Sequence, residues 1–283
     1  MLLVTGATGN TGLHVVRRLV AAGEEIVALV RATSDTRELE RLGVRTHVCE
    51  LDRPETYRHL IEPGMTFVEM ANLRHARAMM PHLDGIGRAH FVTTTAVFST
   101  FQSYGALYRE IEAEMRRSKV QWSILRPSMI YGNERDRNMH RLLRAIAVTP
   151  VFPVFGPGTS LMQPVHVDDL AAGIVAAVLG NAEGEFNLAG PEPLPFNDIL
   201  MQSARAVGRP LRLWHVDHFL AASIVKTCER LPRFPIKHEQ VMRLLEDKAF
   251  DIDRAVGELG YQPRSFADGI RGEADRLRAL GII

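Results

Sequence analysis

Three glycines within seven residues, directly after a short apolar run, constrain this chain more than any other feature. Met1–Thr5 reads as a strand, Gly6-Ala7-Thr8-Gly9-Asn10-Thr11-Gly12 as a tight turn, and Leu13–Ala22 as a helix. Glycine permits sharp turning and close approach of the backbone to a ligand. The helix N-terminus that follows offers free N–H groups and the positive end of a dipole. Strand, glycine turn and helix in that order form a cradle for a pyrophosphate. Its expected contacts are Gly6, Thr8, Gly9, Asn10, Thr11 and Gly12. The spacing is Gly-x-x-Gly-x-x-Gly and no Lys-Ser or Lys-Thr follows, which excludes a nucleoside-triphosphatase loop.

The first half keeps the same rhythm. Glu25–Val30, Val44–Val48, Thr66–Met70, His90–Thr94 and Gln121–Leu125 read as strands, and Pro54–Ile61, His75–Leu83 and Tyr104–Arg117 as helices between them. Such alternation predicts an α/β fold, a Rossmann-type doubly wound parallel sheet with helices on both faces. The second half is less regular. Prolines and glycines punctuate Thr149–Pro164, and Val165–Val178 begins as a strand and turns helical at Asp168-Asp169. Glu185–Leu188 is a short strand and Phe196–Val207 a helix; from Leu211 onward helices and loops follow without a clear boundary.

A net charge of +1, with both signs mixed along the chain, gives no basic surface for nucleic acid. The two cysteines, Cys49 and Cys228, form no Cys-x-x-Cys pair and read as reduced, buried thiols. Met1–Val4 runs straight into the turn with no room for a signal peptide, and the longest apolar stretch, Leu170 to Leu179, is too short for a bilayer span. The expectation is a cytoplasmic protein. His215-Val216-Asp217-His218 has a spacing compatible with metal ligation, yet no third strong ligand accompanies it, so no metal is expected.

Which dinucleotide would bind is decided near the end of the second strand. NAD users place an acid there for the ribose hydroxyls. Here the strand ends Val30-Arg31-Ala32-Thr33-Ser34 and the first acid, Asp35, comes late. Arg31, helped by Ser34, suits a 2′-phosphate, which favours NADP over NAD. A solvated surface arginine is the alternative reading of Arg31.

An ordered set of further segments completes the picture. They are Phe91-Val92-Thr93-Thr94-Thr95-Ala96-Val97-Phe98, Ile124-Leu125-Arg126-Pro127-Ser128-Met129-Ile130-Tyr131-Gly132, Pro164-Val165-His166-Val167-Asp168-Asp169, Phe186-Asn187-Leu188-Ala189-Gly190-Pro191 and Lys248-Ala249-Phe250-Asp251-Ile252-Asp253-Arg254-Ala255. With the opening turn they make the chain resemble an extended or atypical short-chain dehydrogenase/reductase of the NAD-dependent epimerase/dehydratase type. The resemblance implies Glu50 and Leu51 beside the adenine, Ala71 near the cofactor ribose, and Pro127 and Ser128 at the nicotinamide. It puts Thr94 at the family's catalytic Ser or Thr position. It implies one unit over 1–283: a Rossmann core at 1–132 rejoined by 161–190, and a substrate lobe from 133–160 and 191–283. The expected partner is a small molecule such as a nucleotide-sugar, contacted by Tyr131, Arg135 and Arg137. Many members of that family dimerise, so a homodimer is an assembly the resemblance allows.

One part of the pattern is missing. The family's proton carrier is a Tyr-x-x-x-Lys pair, in which lysine lowers the pKa of a phenol that is otherwise near 10. The corresponding helix has Tyr108 four residues after Tyr104, and Glu112 four after Tyr108, so neither tyrosine has its lysine. Either tyrosine remains a candidate proton carrier. Both also fit a packing stripe, Tyr104, Leu107, Tyr108, Ile111 and Met115, at helical spacing. Two functions stay open at this point: an NAD(P)-dependent epimerase, dehydratase or related oxidoreductase with a non-standard active site, and a non-catalytic NADP-binding sensor or assembly protein.

Overall fold

The computed structural model of the chain describes residues 1–83, 85–136, 138–217, 242–244 and 246–283. Six strands come from the first half: β1 (Leu2–Thr5), β2 (Ile26–Val30), β3 (Arg45–Val48), β4 (Thr66–Glu69), β5 (Arg88–Val92) and β6 (Gln121–Pro127). With β11 (Gly184–Leu188) they form a seven-stranded sheet in the order β11-β6-β5-β4-β1-β2-β3. Every pairing in it is parallel. The order reverses between β1 and β4, and that switch point opens a crevice above the carboxyl ends of the strands.

Alternate residues of each strand go to opposite cores. Leu2, Val4, Ile26, Ala28 and Val30 pack with α1 (Asn10–Ala21) and α6 (Val167–Leu179). Leu3, Val27, Leu29, Phe67 and Phe91 pack with α3 (Leu73–Met79) and α4 (Gly105–Arg116). Both faces are covered, which is why these strands are continuously apolar. α2 (Arg37–Arg41) sits between β2 and β3. A third cluster joins Tyr131 to α5 (Met139–Val148), α7 (Phe196–Val207) and α9 (Phe266–Ala279). Short pairs complete the chain: β7 (Ile130–Tyr131) with β10 (Val165–His166), β9 (Leu161–Met162) with β12 (Leu194–Pro195), and β8 (Val151–Phe155) with β13 (Arg212–Val216). α8 (Asp253–Leu259) precedes α9.

Several local readings are corrected. α1 starts at Asn10 rather than Leu13, because its first turn is built on the glycine backbone and not on the apolar stripe. Pro54–Ile61 is not one helix but two 3₁₀ turns, Pro54–Thr56 and Arg58–Leu60. Tyr57 between them leaves helical geometry (φ −139°) with its side chain fully buried. β8 and β9 lie inside the stretch that prolines and glycines punctuate, where the sequence alone assigns no element. Among the described residues, no helix is long and apolar enough to cross a membrane.

Candidate active site

The glycine turn sits at the carboxyl end of β1, at the switch point. Gly9 caps α1 with no side-chain hydrogen bond, so the first N–H groups of the helix face the mouth of the turn. The close packing leaves no room for side chains. A Cβ on Gly6, which has φ +69°, would stand 2.4 Å from Met70 O, and one on Gly12 would stand 2.1 Å from Gly6 O. This is a cradle that only glycine can line, and it fits a pyrophosphate approached by bare backbone. Thr8 and Asn10 are held from outside: Arg135 donates to Thr8 O (2.9 Å) and Asn133 Nδ2 to Asn10 Oδ1 (3.0 Å). Arg135, expected at the substrate, therefore lies against the turn. Arg137 is outside the described residues, as are Cys228 and His218.

Next to the turn, at the end of β2, Arg31 is exposed and its N–H donates to Ser34 Oγ (3.2 Å). Asp35 is occupied by a two-pronged ion pair with Arg37 (2.9 and 2.6 Å), which holds its carboxyl down at about 2. At the end of β3, exposed Glu50 pairs with Arg53 (3.4 Å) and donates its N–H to Thr56 Oγ1, while Leu51 packs on the second core. The Cys49 thiol is buried there and pushed up to about 11 by burial.

Glu69 closes β4 and is fully buried. Its Oε1 accepts from Ala71 N (2.9 Å) and Asn72 N (3.1 Å), and Thr5 Oγ1 lies 3.5 Å away. Burial outweighs these hydrogen bonds and raises the carboxyl from 4.5 to about 7. A group with a raised folded-state pKa stabilises most below its unfolded value and loses that contribution as pH climbs to the folded one. The wild type should thus lose up to about 3 kcal/mol of stability from this group between pH 4.5 and 7. Glu69→Gln, which keeps the acceptor and removes the titration, should flatten that part of the pH profile. Urea unfolding at pH 5 and pH 8 checks this; equal slopes for both proteins would refute it.

Across the switch point, a cavity of about 430 Å³ opens at the ends of β5 and β6. Thr94 and Ser128 line it together with Phe98, Met129, Met162 and Lys248. Thr94 Oγ1 accepts from Ala96 N (3.2 Å), a bond that does not use the hydroxyl's own proton. Ser128 donates to Gln163 O and so presents oxygen lone pairs. Pro127 ends β6 beside it.

The two tyrosines are placed elsewhere. Their ring centroids lie 4.9 Å apart, with the planes tilted by 51°, at the start of α4, and neither lines this cavity. Tyr108 packs on the second core and is hydrogen-bonded to the Asn72 side chain; burial and the adjacent Tyr104 push its phenol up. Tyr131 is a core residue rather than a cleft residue: it is 1% exposed, between His166 and Phe266. The charged loop after β7 is tied down too. Glu134 pairs with Arg276, and buried Asp136 accepts from Asn138 N (2.7 Å). Asp168 and Asp169 hold His14 (2.7 Å) and Arg264 (2.8 Å). His215 Nε2 lies 3.3 Å from Asn197 Oδ1, and the described residues contain no group of three metal-ligating side chains.

A parallel sheet with this reversal and this turn defines a Rossmann-type dinucleotide-binding protein. Residues 6–146, about half of the chain, match the NAD(P)H-binding family, and over that stretch the chain belongs to it. It is similar to an NAD(P)H azoreductase from Xenophilus azovorans, at 26% identity over 75% of this chain and 76% of the relative. It is 28% identical over 74% of its length to an uncharacterized protein of Mycobacterium tuberculosis, of which it spans only 23%. A nucleoside-diphosphate-sugar epimerase from Pseudomonas aeruginosa has the same fold, with a TM-score of 0.80 at 18% identity, covering 100% of this chain and 98% of that one.

Proposed function

We propose that the chain is an NADPH-dependent oxidoreductase acting on a small organic molecule with a non-standard active site. One observation carries this reading: the cavity at the ends of β5 and β6 gathers Thr94 and Ser128 on the far side of the switch point from Arg31. A dinucleotide held by its pyrophosphate at the glycine turn has one half towards β2 and the other towards β5 and β6. When bound, the nicotinamide supplies a hydride. The chain's own part is to grip the phosphates with the turn, to orient the substrate by hydrogen bonds from Thr94 and to Ser128, and to press its apolar part against Phe98, Met129 and Met162. The mixture of apolar wall and few polar groups suits a small organic ligand.

The choice of NADPH over NADH rests on Arg31 and on the engagement of Asp35 by Arg37, which removes the nearest acid from ribose binding. The reductase reading draws on the azoreductase, a relative matched over most of its length. In this reading 133–160 and 191–283 form the substrate lobe, and nucleotide-sugar epimerisation or dehydration is a special case in which the hydride returns to the same molecule. The absence of both tyrosines from the cavity lining favours a second reading, a dinucleotide-binding protein without turnover. Incubation with stereospecifically deuterated NADPH and a panel of quinones, azo dyes and nucleotide-sugars separates the two. Deuterium in a product is expected; its absence across the panel, with NADPH bound, would leave the binding protein as the answer.

A further inference from the structure

The chain has 34 basic residues, of which only four are lysines: Lys119, Lys226, Lys237 and Lys248. Lys248 lines the cavity beside Thr94 and Ser128. Its segment is fixed from two sides. Glu246 accepts from Ser99 Oγ, from Thr100 N (2.7 Å) and Oγ1 (2.8 Å), and from Phe101 N, which ties it to the loop between β5 and α4. Leu161 N donates to Asp247 Oδ1 (2.8 Å), and the Lys248 main-chain N–H donates back to Leu161 O (2.8 Å). Phe250 N then donates to Gln163 Oε1 (2.7 Å). The amine itself donates to the main-chain oxygens of Arg243 and Glu246. Both acceptors are neutral carbonyls, which engage two of the three protons of the ammonium and leave the third to give.

We propose that Lys248 is a catalytic residue of this site, donating a proton to the oxygen of a substrate carbonyl that also accepts from Thr94. The proposal rests on the oxidoreductase reading above. Reducing a carbonyl takes a hydride at carbon, which bound NADPH supplies, and a proton at oxygen. As the C=O π pair moves onto oxygen, an N–H bond of Lys248 breaks and an O–H bond forms; the neutral amine then regains a proton from water. Lys248 thereby does what the lysine-less tyrosines, away from the cavity, do not. Burial first and Arg243 second hold the ammonium below the usual lysine range, while Glu246 and Asp247, the other charged groups facing it, pull the opposite way. A weakened ammonium is the better acid near neutral pH.

Four lysines make the test readable by peptide mass spectrometry of the full chain. Pyridoxal 5′-phosphate followed by borohydride traps amines that are reachable and deprotonated. Lys248 should be modified several-fold faster than exposed Lys119 at pH 7.5, with a lower pH midpoint, and saturating NADPH should slow Lys248 alone. Modification no faster than that of Lys119, at the same midpoint, overturns the assignment whether or not any substrate turns over. With a quinone that the wild type reduces, Lys248→Met should lower kcat by about 100-fold with NADPH affinity unchanged, and Lys248→Arg should restore little of it. An unchanged kcat in Lys248→Met overturns the assignment as well. Failure of the wild type to transfer deuterium is a separate result, and it counts against the oxidoreductase reading.

Discussion

Gly12→Ala is expected to weaken NADPH binding by at least about 100-fold, a loss of about 2.7 kcal/mol. In an ordinary helix the same exchange helps, because alanine has the higher helix propensity. Here the added Cβ would stand 2.1 Å from Gly6 O, 2.9 Å from Gly6 C and 3.0 Å from Ala7 Cα. All three are backbone atoms of the turn that must meet the phosphates. Gly6 has little room to shift on its own side-chain face, where a Cβ would stand 2.4 Å from Met70 O and 2.7 Å from Ala71 N, just after β4. The turn must open, and its N–H groups then lose their aim at the ligand. Gly257→Ala is the matched control: it lies in α8, exposed, with nothing within 4 Å of its added Cβ. That variant should gain about 0.5–1 kcal/mol of stability and bind NADPH as the wild type does. Fluorescence titration and thermal unfolding of both variants check the contrast; equal NADPH affinity in the two would refute it.

Glu112→Ala should destabilise the protein by about 3–5 kcal/mol, the usual result of stripping one partner from a buried ion pair. The side chains of Glu112 and Arg126 are 2% and 5% exposed. Arg126 donates to Glu112 through Nε (2.9 Å) and a terminal nitrogen (2.6 Å), and Thr93 Oγ1 donates to the same carboxylate (2.9 Å). Arg126 also pairs with Glu185 on β11 and is held above the usual guanidinium range by the two carboxylates, against the pull of burial. Removal of Glu112 leaves the buried Arg126 guanidinium with Glu185 as its remaining carboxylate and takes away the acceptor of the buried Thr93 hydroxyl, so the damage exceeds the worth of one hydrogen bond. Joint replacement, Glu112→Leu with Arg126→Met, should recover much of the loss. Urea unfolding of the single and double variants measures it, and a single variant within 1 kcal/mol of wild type would show the pair to be dispensable. The effect should reach the site, since Thr93 adjoins Thr94 and Arg126 adjoins Pro127.

The comparison of these two residues shows how far the sequence is legible. Gly12 announces itself through its neighbours: its constraint lies within seven residues, and local spacing records local constraints. Glu112 enters the sequence reading only as the residue standing where a lysine should follow Tyr108, and the fold turns it towards Arg126 and Thr93. Helical spacing says which residues share a face, but not what a strand from elsewhere brings to that face. The tyrosine pair has the same history. A pattern of residues four apart in sequence left proton transfer and packing equally open, and the ring contact with the Asn72 loop nearby puts both away from the cavity lining.

By itself the sequence determined the α/β alternation, the glycine cradle and the boundaries of α7, because each depends on a few consecutive residues and on backbone sterics. Only the tertiary structure decided what stands around the cavity. Thr94 and Ser128 are brought together by neighbouring parallel strands, and Lys248 lines the same cavity from an irregular segment that no periodicity marks. That segment is held by hydrogen bonds spanning about 150 and 90 positions, to Thr100 and to Leu161. Contacts of that range arise from the closure of the whole chain and leave no signature in local spacing. The turn for the cofactor is thus written in the sequence, and the group that would use the cofactor is assembled by the fold.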